Sequence, residues 1–201
     1  MLAMSTLGTT PYHRDALKEQ LIAIAADRVD AGERDVSLRE IARTAGVSTA
    51  APYRHFSDRG DLLLHVAARG FDALTAALTA VPGEPADLAA LATAYVEFAR
   101  AFPGRYELMF SRPCAGSELV HESSARTMAA FVERAGLDGQ DPSVALAYWS
   151  LVHGLTGLLA AGKVRALPGA PVAAVAGKDG DVREDAAVRA VIAAVVSVMR
   201  G

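Results

Sequence analysis

Apolar residues recur along most of this chain at the three- and four-residue spacing of an amphipathic helix. Leu17, Leu21 and Ile24 share one face of a first helix, predicted over about residues 12–31 and ended by Gly32. The same spacing predicts longer and shorter helices over residues 58–81, 86–102, 105–110, 117–135, 141–161 and 181–199. Alanine is abundant and no run of alternating β-branched residues competes with the helical pattern. With two further short helices described next, the chain is predicted to be all-α, with about nine helices.

Residues 37–56 have the pattern of two short helices joined by a tight turn. Ser37 and Glu40 have the spacing of a capping box at the start of the first helix. Gly46 can adopt the positive φ that ends that helix, and Ser48 is placed to cap the second one. This order is that of a helix-turn-helix, which lays its second helix in a DNA major groove. An ordinary helical hairpin is the structural alternative.

The motif, its flanking helices and the chain length resemble the tetracycline-repressor (TetR) family of transcriptional regulators. The specific part covers residues 17–64 and includes Tyr53-Arg-His-Phe56, followed by Ser57-Asp-Arg-Gly-Asp-Leu-Leu. The resemblance implies a helix-turn-helix DNA-binding domain at residues 1–57 and a ligand-binding and dimerisation domain at residues 58–201. It also implies a homodimer, acting most simply as a repressor, on a palindromic double-stranded DNA operator. A small-molecule effector would then shift the helix that connects the domains and favour a state unable to bind DNA.

Candidate DNA-contacting residues lie in the motif and beside it. Thr49 and Ala50 are expected to face bases, since a Thr hydroxyl bonds several base edges and a methyl group suits the thymine methyl. Tyr53, His55 and Arg59 match family positions that touch phosphates, although packing against the bundle is the alternative for Tyr53. The full predicted set is Ser37, Arg39, Arg43, Ser48, Thr49, Ala50, Tyr53, His55 and Arg59.

A second resemblance lies downstream, where Trp149-Ser-Leu-Val-His153-Gly154 is similar to the Trp…His-Gly signature of one subgroup of TetR-like ligand-binding domains. By helical spacing, Trp149 and His153 share one face, which either lines a pocket or belongs to the core. An apolar or amphipathic effector is predicted to contact the bulky residues Phe102, Tyr106, Phe110, Trp149 and His153.

Small residues occupy another face of the same predicted helix, and apolar residues recur at a spacing of three and four in the last helix. Such faces permit close helix packing across a dimer. The predicted dimer interface consists of Ser150, Gly154, Gly157, Ala161, Val188, Ile192, Val195 and Met199.

Charge is a weak guide to a nucleic-acid partner here. The formal net charge is −3, and residues 1–70 contain nine Lys and Arg against nine Asp and Glu, so the predicted DNA-binding end is neutral. DNA affinity would therefore depend on the local placement of cations rather than on the overall charge.

Composition and motifs exclude several other classes of function. Cys114 is the only cysteine, so no intrachain disulfide can form, and this fits an intracellular protein. The first residues lack a signal-peptide pattern, and no apolar run was expected to reach the length of a membrane span. The closest such run, residues 186–199, is interrupted by Arg189. A cytoplasmic protein without a membrane partner is predicted.

Enzymatic chemistry has few candidate residues. There is no nucleophile elbow, phosphate loop or metal-spaced cluster, and the adjacent His121 and Glu122 point to different faces of a helix. No catalytic residue, metal or cofactor is predicted. Two alternatives remain: a helical adaptor that does not bind DNA, and an enzyme that uses Cys114 with His121 or His153 as its base.

Overall fold

The computed structural model describes residues 11–161 and, near the C terminus, residues 190, 192–194 and 196–197. Side chains are described from Asp15 onward. This part of the chain is helical and contains no strand, which confirms the all-α class. Its α-helices are α1 (Pro11–Asp30), α2 (Leu38–Thr44), α3 (Arg59–Thr79), α4 (Leu88–Ala101), α5 (Pro103–Met109), α6 (Arg112–Ala115), α7 (Glu118–Arg134) and α8 (Pro142–Ala160).

Aspartates cap the starts of three helices, as their positions in the sequence favour. Asp87 accepts hydrogen bonds from the amides of Ala89 and Ala90 at the start of α4, at 3.1 and 3.2 Å. At the start of α8, Asp141 accepts from the Ser143 amide at 2.8 Å, and this bond lowers the pKa of its carboxyl. Asp58 caps α3 by accepting from the Asp61 amide at 2.9 Å.

The predicted helices differ from the structure at α6, and the last predicted helix is described only in part. The sequence predicted that the short helix after residue 105 stops before Pro113, but it did not predict α6, which has that proline in its first turn. A proline is tolerated there because its missing N–H would have no partner within the helix anyway. The predicted helix at 181–199 lies mostly outside the described residues, and within it 192–194 and 196–197 are helical.

The chain packs as two compact units that differ from the predicted division at residue 57. The first unit comprises the residues up to Gly70 together with Gly104–His121, and the second comprises Phe71–Pro103 and the residues from Glu122 onward. Each has its own buried side chains. In the first unit they include Leu21, Ile41, Phe56, Leu62 and Val66, and in the second Leu74, Leu78, Leu91, Val96 and Phe131.

Within the first unit, the start of α5 lies directly against the end of α1. A Cβ atom added to Gly104 would stand 2.0 Å from the carbonyl oxygen of Val29, so this position requires glycine. The carboxylate of Asp30 accepts from the Arg105 backbone N–H at 2.9 Å and from its Nε at 3.1 Å, with both side chains mostly buried. Backbone contact and ion pair together hold α5 against α1.

Gly70, in the middle of α3, has a packing reason of a different kind. A glycine inside a helix marks either a bend or a close contact, and here the structure shows a close contact. An added Cβ would stand 2.6 Å from Sδ of Met109, a flexible side chain of the same unit.

Helices α3 and α8 are each long and apolar enough, by length and composition alone, to cross a membrane. This corrects the expectation that no segment reaches that length. Core helices of globular proteins pass the same test, and about 44% of the apolar window of α3 is buried within the chain. The corresponding share for α8 is only 22%, because α8 carries an exposed face that is described below.

Candidate DNA-binding and effector sites

The turn of the predicted helix-turn-helix has the expected backbone, but the capping box before it does not form. Gly46 has φ of +71°, the left-handed conformation that the sequence called for. Ser37 has the extended backbone of an N-cap, yet its side chain makes no capping hydrogen bond. Glu40 instead accepts from Nη1 of Arg28 at 3.3 Å. The predicted capping box is therefore wrong, and the Glu40 carboxylate contacts a cation of α1 instead.

The second helix of the motif is shorter and tighter than predicted. Only residues Pro52–Arg54 form a single 3₁₀ turn, and the amide of Ala51 bonds to the carbonyl of Ser48 at 2.9 Å. Pro52 has no N–H to bond to that carbonyl, so the chain closes three-residue turns rather than an α-helix. The prediction of a second α-helix starting at Ser48 is therefore corrected to one turn.

The side chains of the motif and of the predicted DNA-contacting residues differ in their exposure to solvent. Phe56 is 1% exposed and anchors this segment in the core. Tyr53 is 53% exposed, so the idea that it packs into the bundle is wrong. Ser37 and His55 are half-buried, and the remaining members of the predicted set are exposed, namely Arg39, Arg43, Ser48, Thr49, Ala50 and Arg59.

Two arginines hold the motif in place through side-chain hydrogen bonds, and the sequence did not predict this role for either. Arg28, on α1, bonds to the carboxylates of Glu33 and Glu40 and, through Nη2, to Oγ1 of Thr44 at 3.0 Å. This ties α1 to α2. Arg59 donates from Nε to the carbonyl oxygen of Val36 at 3.1 Å and from Nη2 to that of Arg34. No local sequence pattern signals either arrangement, since the partners are 5 to 25 residues away.

An aromatic cluster in the second unit contains the downstream Trp and His. The ring of Tyr95 meets Trp149 edge-on at 5.2 Å between centroids, and Phe131 meets Trp149 at 5.8 Å. The hydroxyl of Tyr95 lies 3.0 Å from Nδ1 of His153. Partial burial lowers the pKa of His153 below its ordinary value of 6.5, so the ring is neutral near pH 7. In the Nε2–H tautomer of the neutral ring, the Tyr95 hydroxyl donates this hydrogen bond and Nδ1 of His153 accepts it.

A small apolar cavity lies beside this cluster. Its volume, counted as the space that the centre of a water molecule can occupy, is about 20 Å³, so it has room for roughly one water molecule. The residues around it are apolar or aromatic and come from α3, α4, α7, α8 and the C-terminal segment: Leu78, Leu88, Leu91, Ala92, Tyr95, Phe131, Tyr148, Trp149, Leu151, Val152 and Val196.

The structure brings together part of the predicted effector set. Trp149 lines the cavity, and His153 is hydrogen-bonded to Tyr95, which also lines it. Phe102 pairs with Phe98 at 5.4 Å in the second unit. Tyr106 and Phe110 belong to the first unit, where their rings are 5.2 Å apart.

Sequence reasoning missed two aromatic residues of the cluster, Tyr95 and Phe131. A signal for Tyr95 was present, because Leu88, Leu91, Tyr95 and Phe98 recur at three, four and three along α4. Phe131 had no such signal.

The predicted dimer set also divides. Ser150, Gly154 and Gly157 on α8 and Ala161 directly after it are exposed, and a Cβ added to either glycine would meet no atom of the described residues within 4 Å. Leu146 and Leu158 on the same helix are 58% and 50% exposed. In contrast, Ile192 is 1% exposed and has no surface left to bury against a second copy. Val188, Val195 and Met199 lie outside the described residues.

Cys114, with His121 or His153 as a base, was the combination considered for enzymatic chemistry. Cys114 is buried, with the Ser111 hydroxyl 3.5 Å from its sulfur. Among the described residues, no group of three or more His, Cys, Asp or Glu could hold a metal ion.

Comparison with known proteins gives matches to both parts of the chain. Residues 29–66 match the family described as bacterial regulatory proteins, tetR family, and residues 88–177 match the tetracyclin repressor-like, C-terminal domain. That second description does not mention a Trp…His-Gly signature, so the subgroup stays a prediction. No curated protein matched the chain.

Two solved structures are similar over nearly the whole chain. One is a protein of unknown function from Rhodococcus sp. RHA1, with 31% identity, 95% of this chain and 97% of that chain covered, and a TM-score of 0.67. The other, SCO4313, is described as a candidate regulatory protein and has 26% identity, 92% of this chain and 100% of that chain covered, and a TM-score of 0.65.

Proposed function

Since this chain belongs to the TetR family of transcriptional regulators, we propose that it is a ligand-responsive repressor that binds a palindromic DNA operator as a homodimer. The family makes it a regulatory protein rather than an enzyme. Such a protein acts where the DNA is, so the proposal places it in the cytoplasm, with double-stranded DNA and a small molecule as its partners and without a cofactor.

The observation that supports DNA binding is which side chains of the motif are buried and which are exposed. Leu38, Ile41 and Phe56 are buried, whereas the polar and cationic residues between them are exposed, apart from the half-buried His55. Thr49 and Ala50 are proposed to contact bases, because they lie on the exposed turn that precedes Pro52. The other members of the predicted set, apart from Arg59, are proposed to contact phosphates or to position the segment. These are Ser37, Arg39, Arg43, Ser48, Tyr53 and His55.

Dimerisation is supported by the exposed face of α8. Ser150, Gly154, Gly157 and Ala161 allow a second helix to approach closely, and two exposed leucines beside them gain by being covered. Near the C terminus, the described residues with exposed side chains are also small: Ala190, Ala193, Ala194 and Ser197. We propose that these take the place of the buried Ile192 in an interface between two copies.

The effector is proposed to enter at the aromatic cluster of Tyr95, Phe131 and Trp149. Its surroundings are apolar, and the Tyr95 hydroxyl with its partner His153 supplies the polar atoms that would orient a ligand. Because the cavity holds roughly one water molecule, a larger ligand must displace side chains or helices of the second unit. Such a ligand favours a different arrangement, which is the differential binding that regulation requires.

Selection from a pool of random duplex DNA tests the central proposal. A family of fragments with a palindromic consensus should be enriched, with half-sites about one helical turn apart, on the order of 35 Å. Affinity for the selected site should fall steeply with salt, through release of counterions. A protein that enriches no sequence at moderate salt would favour the alternative of an adaptor that does not bind DNA.

Trp149 emission tests the effector site, because this is the only tryptophan in the chain. A compound that releases the protein from its operator should change that emission, and Trp149→Phe should weaken the response while operator binding without the compound persists. Thermal unfolding first establishes that the variant is folded. An unchanged response in a folded variant would place the effector elsewhere and leave Trp149 as part of the core.

A further inference from the structure

Arg59, the first residue of α3, reaches back to the segment that leads into α2. Its Nε donates to the carbonyl oxygen of Val36 at 3.1 Å, and its Nη2 donates to the carbonyl oxygen of Arg34. Nε–H and the neighbouring Nη2–H form one edge of the guanidinium plane. This edge is one that arginine uses for two-pronged contacts with phosphate, and here two backbone carbonyls occupy it.

The start of α3 is itself well fixed, so Arg59 is anchored at its base. The amide of Asp61 bonds to Oδ1 of Asp58 at 2.9 Å, and Oδ2 of Asp61 accepts from the Ser57 amide at 2.8 Å. On the other side of the contact, Val36 and Leu38 are buried at 1% and 5% exposure. The contact of Arg59 therefore joins the capped start of α3 to the segment between α1 and α2, at the buried Val36.

We propose that Arg59 is a positioning residue for DNA recognition and not a phosphate ligand. It fixes the path of residues 34–36, and α2 begins two residues later. The orientation of α2, and with it the turn that carries Thr49 and Ala50, depends on that path. This inference rests on the proposed function, and it reassigns a residue that resemblance to the family would place at phosphate.

The two roles predict different responses to lysine. A lysine preserves the positive charge that attracts phosphate, but its single ammonium group cannot bond two carbonyls in the geometry of a guanidinium edge. If Arg59 positions the motif, Arg59→Lys should reduce binding to the operator about tenfold and leave binding to random-sequence DNA unchanged. The dependence of affinity on salt should also stay the same, because no phosphate contact is lost.

The experiment measures operator and random-sequence DNA binding over a series of salt concentrations, well below the unfolding temperature. The variants are Arg59→Lys and Arg59→Gln, with Arg112→Lys as the matched control. Arg112 is an exposed arginine of α6 in the first unit and lies outside the predicted DNA-contacting set, so lysine there should bind like the wild type. A phosphate role for Arg59 would appear as normal operator binding by Arg59→Lys and a salt slope that decreases by about one in Arg59→Gln. That result would overturn the inference.

Hydrogen exchange on the protein without DNA separates this inference from the proposed function. In Arg59→Lys, the amides of residues 36–44 should exchange faster, while those of the second unit stay unchanged. Unchanged exchange in this segment would overturn the inference whether or not the wild type has an operator. A lower unfolding temperature with an unchanged ratio of operator to random-sequence affinity would also overturn it, since that is the signature of a purely structural arginine. Failure of the wild type to select an operator would overturn the proposed function instead.

Discussion

The two compact units leave different chemistry exposed to solvent. Near its motif, the first unit exposes arginines, hydroxyl groups and Tyr53. Along α8, the second unit exposes glycines, alanine and two leucines. Polar and cationic groups remain hydrated until they meet a polyanion, whereas an apolar face gains free energy when another apolar surface covers it.

The units also differ in how glycine is used. In the first unit, Gly104 is required by contact within the chain, because the backbone of α1 occupies the space that a side chain would need. In the second unit, a Cβ added to Gly154 or Gly157 would meet no atom of the described residues within 4 Å, so contact within that part of the chain does not explain their small size. The comparison supports the proposal that a second copy covers the exposed face of α8, whereas contact inside the chain already accounts for the glycine of the first unit. The following predictions test that difference.

Gly104→Ala should have the largest effect. The added methyl group would overlap the Val29 carbonyl, so the end of α1 and the start of α5 must separate. We expect the free energy of unfolding to fall by about 3 kcal/mol, which chemical denaturation measures. Gly116→Ala is the matched control: its Cβ would meet nothing, and it should change stability by no more than about 0.5 kcal/mol. Equal stability of the two variants would contradict the close approach.

Gly157→Leu should separate the dimer without unfolding the chain. A larger side chain has space in one protomer but overpacks a close helix contact, so the dissociation constant of the dimer should rise about 10- to 100-fold. Sedimentation equilibrium measures it, and circular dichroism shows that the protomer is folded. Ala129→Leu, at an exposed position of α7, is the control and should remain dimeric. A Gly157→Leu protein that dimerises like the control would remove this face from the interface.

Tyr53→Phe and Thr49→Ala should affect DNA binding in different ways. Loss of the Tyr53 hydroxyl should weaken binding to all sequences, by about three- to tenfold, because a phosphate contact carries no sequence information. Loss of the Thr49 hydroxyl should change which bases are preferred at one position of each half-site. Repeating the DNA selection with both variants measures this, and the assignments are reversed if Tyr53→Phe alters the consensus while Thr49→Ala does not.

The smallest expected effect is a pH dependence of stability due to His153. Burial lowers its pKa in the folded chain, so as pH falls below about 6.5 the unfolded chain takes up the proton first. Stability from this residue is therefore complete above that pH and declines as the pH falls toward the folded pKa. Denaturant midpoints between about pH 7.5 and 5.5 should decrease more in the wild type than in His153→Gln. Parallel curves for the two proteins would show that His153 does not contribute.

Local signals predicted the helices well. Gly32 and Gly46 have the positive φ that their positions required, and Asp141 followed by Pro142 begins α8. Such signals act within a turn or two of the backbone, where propensity and capping decide the conformation. They failed where a distant residue intervened, as at Glu40, which Arg28 engages from α1. They also failed at Pro52, whose missing N–H shortened the second helix to one turn.

The candidate sites were predicted less completely than the helices, for a related reason. Residue type and helical spacing identified Trp149 and His153, but their contacts with Tyr95 join positions on α4 and α8 that are 54 or more residues apart. Spacing within one helix also gave Ile192 a place in the interface. Which face of the last segment turns inward is decided by the other helices, and Ile192 is on that inward face.

By itself, the amino-acid sequence determined the all-α class, the first helix and the glycine turn of the motif, and the resemblance to TetR regulators. Caps, glycine turns and apolar periodicity are properties of neighbouring residues, and they act before the chain has a tertiary structure. Only the tertiary structure decided that Arg59 bonds to the carbonyls of Arg34 and Val36, that Gly104 must be glycine, and that the glycines of α8 face solvent. Each of these depends on backbone atoms or helices that lie far away in sequence and become neighbours only when the helices pack.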